Sequence, residues 1–302
     1  MSQSLYLDIL DETLHTGVQG LSEAFINAQL RLIVDCQQAD GGFRGRQGGS
    51  DLYYSDFALR TLVLLTPQHT AIDRVREFLQ TSHGRINNKN AEIECFSLLN
   101  MHRMLHEAIA THEKDALLAL LKSRLTNQST SPLNKWSAYR TFLAMLCFQM
   151  LGEEMPHGDA AILAIQSLAQ ADGGYAERAG ASMSQTNATA AAVAFLAMQN
   201  AFPDEKIAPV KQYLAAMQAS DGGLKAHAEV ACGDLLSTFT GLVTLAAFDG
   251  LNTIDMLGIA EFLRKMASPH GGFLACHGDD APDVEYTYYG VGVFALLRAM
   301  RT

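Results

Sequence analysis

Basic side chains are scarce in this 302-residue chain: 22 Lys and Arg stand against 32 Asp and Glu, for a formal net charge of −10. Neutralising nucleic-acid phosphates takes a surplus of cations, so the balance argues against a nucleic-acid partner and against a basic membrane-binding face. Long apolar runs are missing as well. No stretch approaches the ~18 uninterrupted apolar residues that a spanning helix requires. The opening, MSQSLYLDILDETLHTG, lacks the basic segment and apolar run of a secretory signal. Cysteines are few and odd in number (Cys36, Cys95, Cys147, Cys232 and Cys276), with no CxxC pair. Reduced thiols in a cytoplasmic protein are the expectation. Strictly alternating β-branched runs are absent too, which leaves little scope for a sheet.

What is present is apolar bulk and a repeated phrase. Apolar residues make up 48% of the chain and charged residues 18%, enough for a large core and too little charge for disorder. QQADGGF ends at Phe43, AQADGGY at Tyr175, QASDGGL at Leu224 and SPHGGF at Phe273. Asp172 and Asp221 are 49 residues apart, and so are Asp221 and His270, which takes the Asp position. Weaker copies are expected at 81–87 and 126–134. Length alone favours about two domains. Six units of about 47 residues instead predict one stacked domain over 21–302, behind an N-terminal arm of residues 1–20.

Each unit reads as two helices. The run before DGG is one-faced: Ile207, Val210, Leu214 and Met217 share a stripe from which Lys206, Lys211 and Gln212 are absent. The run after it, such as 187–198 or 289–300, is apolar nearly all round and needs cover on every side. Alternation of the two kinds predicts two concentric layers, with Gly41, Gly173, Gly222 and Gly271 ending the outer helices. The fold class is all-α, an α/α toroid of six helical hairpins.

Residues 37–65 meet, almost letter by letter, the phrase Q-x-x-D-G-G-F-x-G … D-x-Y … A-L-x-x-L-x-L-L. The phrase resembles the repeat of protein prenyltransferase β subunits, which share a superfamily with the squalene–hopene cyclases. The likeness runs from about Leu21 to Met300. It implies inner helices around an apolar cavity for an isoprenoid chain, with chemistry at the mouth. Six inner-helix N-termini at that end would attract an anion such as an isoprenoid diphosphate. First-turn side chains there are Asp51, Tyr53, Trp136, Tyr139, Arg140, Asp234, Asp283, Tyr286 and Tyr288. Helix capping is a competing role for the three aspartates, and plain packing for the aromatics.

The resemblance also implies zinc on Asp, Cys and His. Asp234 keeps the first ligand, but Leu236 stands where the thiolate belongs and Tyr286 where the imidazole belongs. One carboxylate does not hold a catalytic zinc, which takes about three protein donors, so no cofactor is expected. His227, Cys232 and Asp234 in one loop and Cys276, His277, Asp279 and Asp280 in the next supply donors for a displaced zinc site as a lesser alternative. The family's diphosphate-binding Arg and Lys fall on Ala228 and Ala231, and its Tyr on Ser237. Substitute cations are Arg44, Arg46, Lys89, Lys135, Arg140, Arg178, Lys225 and His227. The run Gly278-Asp279-Asp280-Ala281-Pro282-Asp283, followed by Glu285, raises another chemistry. Like-charge repulsion among its acids would keep one carboxyl protonated, as alkene-protonating cyclases require.

The leading expectation is an isoprenoid-handling, prenyltransferase-like enzyme without the family zinc. The alternatives are a terpene cyclase, or a non-catalytic toroid that binds a lipid or a partner. Catalytic candidates are Asp234, Asp283 and Tyr286. Substrate-binding candidates are Tyr53, Trp136, Tyr139, Arg140, His227 and Tyr288, and the aromatic side chains Tyr53, Trp136, Tyr139, Tyr286 and Tyr288 are expected to face a common hollow. A second copy of the chain or a helical partner subunit is the macromolecular partner considered.

Overall fold

The computed structural model describes residues 6–81, 86, 88–129 and 136–299. Among them the chain is helical, and extended pairing is confined to isolated bridges such as Gln37 with Phe43. The N-terminal arm forms a helix, α1 (Tyr6–Val18). Six pairs follow: α2 (Glu23–Asp35) with α3 (Leu52–Leu65), α4 (Ala71–Gln80) with α5 (Ala91–Met104), and α6 (Thr111–Ser129) with α7 (Ala138–Leu151). The remainder are α8 (Gly158–Gln166) with α9 (Thr186–Met198), α10 (Ile207–Ala216) with α11 (Leu235–Ala247), and α12 (Met256–Met266) with α13 (Val284–Ala299). Of the two weaker repeat copies, residues 82–85, 87 and 130–134 lie outside the described residues, and 126–129 close α6.

The first helix of each pair is one-faced and the second is covered. In α4, Ile72, Val75, Phe78 and Leu79 are buried while Asp73, Arg74 and Glu77 stay in water. In α3, by contrast, burial runs round the helix from Leu52 through Asp56, Ala58 and Leu62 to Leu64. No helix of the described residues is long and apolar enough to cross a membrane.

The chain forms two compact units. One comprises residues 118–262; there α7, α9 and α11 lie side by side, with α8 on α9 and α10 on α11. The other comprises residues up to Leu117 together with those from Leu263 onward. In it α13, α3 and α5 lie side by side, α2 covers α13 and α3, and α4 packs on α3. Here α1 also packs along α13 and against α3. It does so on another side of α3 from the outer layer. Arg60, Val63 and Leu64 meet it around a space of about 20 Å³, whereas Ser55, roughly 140° away round the helix, faces the DGG turn. Arg103 of α5 fastens α1 through Asp8 and Asp11, each at 2.7 Å.

The DGG phrase makes a turn rather than a helix end, which corrects the sequence expectation. The outer helices stop at Asp35, Gln166, Ala216 and Met266, several residues before the glycine. Gly41, Gly173, Gly222 and Gly271 then take φ of 87°, 91°, 99° and 102°, which only glycine adopts freely. Asp40 Oδ1 accepts from Gly42 N at 3.2 Å, and Asp172 and Asp221 do the same for Gly174 and Gly223. A hydroxyl on the following inner helix anchors each turn. Ser55 accepts from Phe43 N at 2.8 Å, Thr189 from Tyr175 N at 2.9 Å, and Thr238 from Leu224 N at 2.9 Å. Thr287 takes the same role for Phe273 N at 3.3 Å. The first glycine also touches the next outer helix, and a Cβ at Gly41 would strike the Arg74 carbonyl. Gly271 meets the Ala28 carbonyl of α2 in the same way, so the last repeat seats on the first.

Candidate active site

Two neighbouring first turns build the site. Asp283 caps α13: its carboxylate accepts from Tyr286 N at 2.9 Å and its carbonyl from Thr287 N at 3.0 Å. Asp51 caps α3 and accepts from Tyr54 N at 2.7 Å. Because α13 and α3 lie side by side, these caps bring their next side chains together. Tyr53 Oη donates to Glu285 Oε1 at 2.8 Å. The loop before α3 adds Arg46, which grips Asp279 with both Nη atoms at 2.6 and 2.5 Å and Asp283 with Nε at 3.0 Å. An open hollow of about 700 Å³ lies among Arg46, Tyr54, Asp279, Asp283, Glu285 and Tyr286, with Cys276 and His277 also in its wall.

Burial decides the protonation of this site. Removal from water pushes the Glu285 carboxyl up to about 7, and the neighbouring Asp283 charge adds to the rise. The Tyr53 hydrogen bond and Arg46 oppose it. Arg46 holds Asp279 below the usual carboxylate range, chiefly through their hydrogen bonds. Repulsion within the acidic run was the expected cause of a raised carboxyl; desolvation is the larger cause, and the acid is Glu285. Aromatic rings stand beside it. Tyr53 lies edge-on to Phe57 at 5.0 Å, Phe57 to Tyr289 at 5.3 Å, and Tyr289 to Tyr286 at 6.3 Å.

Of the catalytic and substrate-binding candidates from the sequence, Tyr53, Asp283 and Tyr286 come together here, with Arg46, Cys276, His277, Asp279 and Glu285, which the sequence offered for anion, metal or acid chemistry. Tyr288 does not join them in the wall of the hollow. Two residues beyond Tyr286 it faces another way, stacked at 5.2 Å on the Arg60 guanidinium beside the small space under α1. The other candidates belong to the 118–262 unit. Asp234 caps α11, with both carboxylate oxygens accepting from Ser237, N and Oγ, at 2.7 Å. Trp136 is fully buried and Tyr139 is half exposed just inside α7. Arg140 donates its backbone N–H to Ser137 Oγ at 3.1 Å and stands near the half-buried Glu177. His227 sits in the loop before α11 with a buried Nδ1 that has no hydrogen-bond partner among the described residues. Lys135 lies outside the described residues.

The sequence reading passed over a buried ion pair. Asp56 and Arg60 meet at 2.5 Å inside α3, Asn100 donates to Asp56 at 2.7 Å, and the guanidinium lies between the Phe57, Phe96 and Tyr288 rings. The signal was available: opposite charges four residues apart within an otherwise apolar helix.

The Prenyltransferase alpha-alpha toroid domain matches residues 7–225 and 225–302. The chain belongs to this family. No curated protein matches it in sequence. Among solved structures it resembles Candida albicans protein geranylgeranyltransferase-I complexed with GGPP, at 15% identity and a TM-score of 0.61 over 97% of this chain and 92% of that one. A type II terpene cyclase from Scytonema, in complex with geranylgeranyl dihydroxybenzoate, shares 13% identity and a TM-score of 0.57 over 97% and 99% of the two chains. An alpha-1,6-mannanase from Salegentibacter shares 12% identity and a TM-score of 0.58 over 95% and 98%. Likeness at this level establishes the toroid fold and leaves the reaction open.

The zinc implied by the prenyltransferase resemblance does not fit this toroid's residues. Leu236 offers no donor atom, and Ser237 already occupies both oxygens of Asp234. Among the described residues no three His, Cys, Asp or Glu side chains gather as a metal group.

Proposed function

We propose that this toroid is an acid-initiated isoprenoid enzyme in which Glu285 protonates a carbon–carbon double bond. The observation that carries the reading is a half-buried carboxyl held by Tyr53 in the wall of a hollow next to aromatic rings, where burial pushes it up to about 7. The Glu285 O–H bond breaks as a C–H bond forms from the alkene π electrons, leaving a carboxylate and a carbocation. A second double bond attacks the cation and closes a ring. Loss of a proton from the cyclised cation, to the Glu285 carboxylate or to water, restores neutrality. The Tyr53, Phe57, Tyr286 and Tyr289 rings can stabilise the cation through their π faces. Tyr53 holds one Glu285 oxygen and leaves the other for the proton.

This places the cyclase reading ahead of the prenyl-transfer reading. Transfer chemistry begins by expelling diphosphate, and Arg46, the one arginine among the described residues of this wall, is occupied by carboxylates. Glycoside hydrolysis, the other chemistry of toroids named above, needs a second working carboxylate. Asp283, two residues from Glu285, has its oxygens on Tyr286 N and Arg46.

The test is incubation of the protein with farnesol or geranylgeraniol in heavy water. A product isomeric with the substrate, carrying one deuterium at the protonated carbon, is expected. Glu285→Gln should lower its formation roughly 100-fold or more. Undiminished turnover by Glu285→Gln would refute the acid assignment. Binding without turnover by the wild type would return the chain to the lipid-binding reading.

A further inference from the structure

Among the described residues, Arg46 is the only arginine or lysine in the wall of the hollow described above. Its fork is committed: Nη1 and Nη2 to Asp279 and Nε to Asp283, with an Asp280 oxygen 3.9 Å from Nη1. Asp279 is itself fixed, accepting from Ala275 N at 2.8 Å, and its side chain is only 9% exposed. The guanidinium is thus held by groups that do not turn away into solvent. One cation is set against Asp279 and Asp283 in the wall, with Asp280 alongside. A multiply charged anion entering the hollow would meet net negative charge, and could reach Arg46 only by displacing a bidentate carboxylate.

We infer that Asp279 is a specificity-determining residue, which withholds Arg46 from the hollow so that the substrate's head group is uncharged rather than a diphosphate. The inference rests on the proposed function in that the hollow is taken as the substrate site. It goes further by assigning the head group. An alcohol or another neutral terminus meets no charge penalty there. Its hydrogen-bonding needs can be met by Tyr54 and by carboxylate oxygens of the wall.

The experiment titrates inorganic pyrophosphate, the head group alone, into wild type, Asp279→Asn and the Asp279→Asn/Arg46→Gln pair by calorimetry. Asparagine keeps the shape and the acceptor for Ala275 N, and circular dichroism checks that each variant is folded. Wild type should show no binding at millimolar concentration, Asp279→Asn should gain at least tenfold in affinity, and the double variant should lose that gain. A parallel titration with geranylgeraniol and geranylgeranyl diphosphate should favour the alcohol at least tenfold in wild type, and the preference should narrow in Asp279→Asn. Pyrophosphate binding by wild type, or no gain in Asp279→Asn, overturns the inference. If the pyrophosphate contrast holds while neither prenyl compound binds, the isoprenoid reading falls and the role of Asp279 stands.

Discussion

A carboxyl group taken out of water resists ionisation, and Glu285 shows what that does to both stability and chemistry. The folded protein holds this proton up to about pH 7, whereas the unfolded chain releases it near the ordinary 4.5. Between those values the native state binds more protons than the unfolded state, so stability falls as pH rises through the window. At about 1.36 kcal/mol per pKa unit the full loss is at most about 3 kcal/mol. Glu285→Gln has no proton to lose. Urea titrations at pH 5 and pH 8 should therefore show wild type losing stability relative to the variant by about 2–3 kcal/mol. Equal losses in the two proteins would show that the carboxyl is solvated. Under the proposed function, activity should carry the same sign and decline as pH climbs through about 7, because the protonated acid is the form that would protonate the alkene. Tyr53→Phe removes a donor that favours the charged carboxylate, so its alkaline limb should move to higher pH. At this scale the sequence was informative about caps and poor about pairings. Asp51, Asp234 and Asp283 were legible as helix openers because an N-cap is local. The pairing of Arg46 with residues more than 230 positions later depends on how α13 meets α3, which no short window contains.

The unit element is the turn between outer and inner helix, and its glycines have two separable constraints. Gly222 has φ of 99°, and a Cβ there would strike the Gly258 carbonyl at the start of α12. Gly180 has φ of 83° but faces open space. Gly180→Ala therefore reports the backbone strain alone, roughly 1–2 kcal/mol. Gly222→Ala adds a collision of backbone with backbone and should lose a further 1–3 kcal/mol or so. Thermal melts of the two variants check the difference, and equal losses would mean that the close approach relaxes freely. The repeat was legible because this turn is local and short: the positive φ demands glycine, and Asp40, Asp172 and Asp221 close it by accepting from the N–H of the second glycine. The helix boundaries were less so. The stripe of apolar residues continues past Met266 and its counterparts into the turn, so periodicity alone extended the outer helices too far. The hydroxyls of Ser55, Thr189, Thr238 and Thr287 escaped notice because serine and threonine in an apolar helix read as filler until their partners are seen.

At the scale of the whole chain, the first two helices pack on the last repeat, and the candidate acid sits at that junction. Close packing makes much of it, and Arg298 adds hydrogen bonds to the Gly17 and Gln19 carbonyls at 2.9 and 2.7 Å. Gly271 seats on the Ala28 carbonyl, Phe25 stacks on Phe294 at 4.9 Å, and α1 lies along α13 with Gly17 against Ala295. Nothing in residues 6–18 names α13 as a partner: an amphipathic stripe declares that it will be covered and is silent about what covers it. For that reason the sequence yielded an arm where the structure has a packed helix. One more contact is polar and buried. Gln29 Oε1 accepts from Gly272 N at 2.9 Å, and Gln29 is 4% exposed. Leucine in its place would leave that N–H without an acceptor, which loses about 1–3 kcal/mol, more than an ordinary exposed hydrogen bond contributes. The same turn leads through Phe273 to Asp283, so loosening it should loosen the cap that presents Glu285 and Tyr286. Gln29→Leu is therefore expected to lower the urea midpoint and to speed amide exchange from Gly271 through Thr287. Turnover should fall by more than the small unfolded fraction explains, because the acid is misplaced in molecules that remain folded. Unchanged exchange in that segment would mean that the Phe25 stacking and the glycine contact hold the junction without the glutamine.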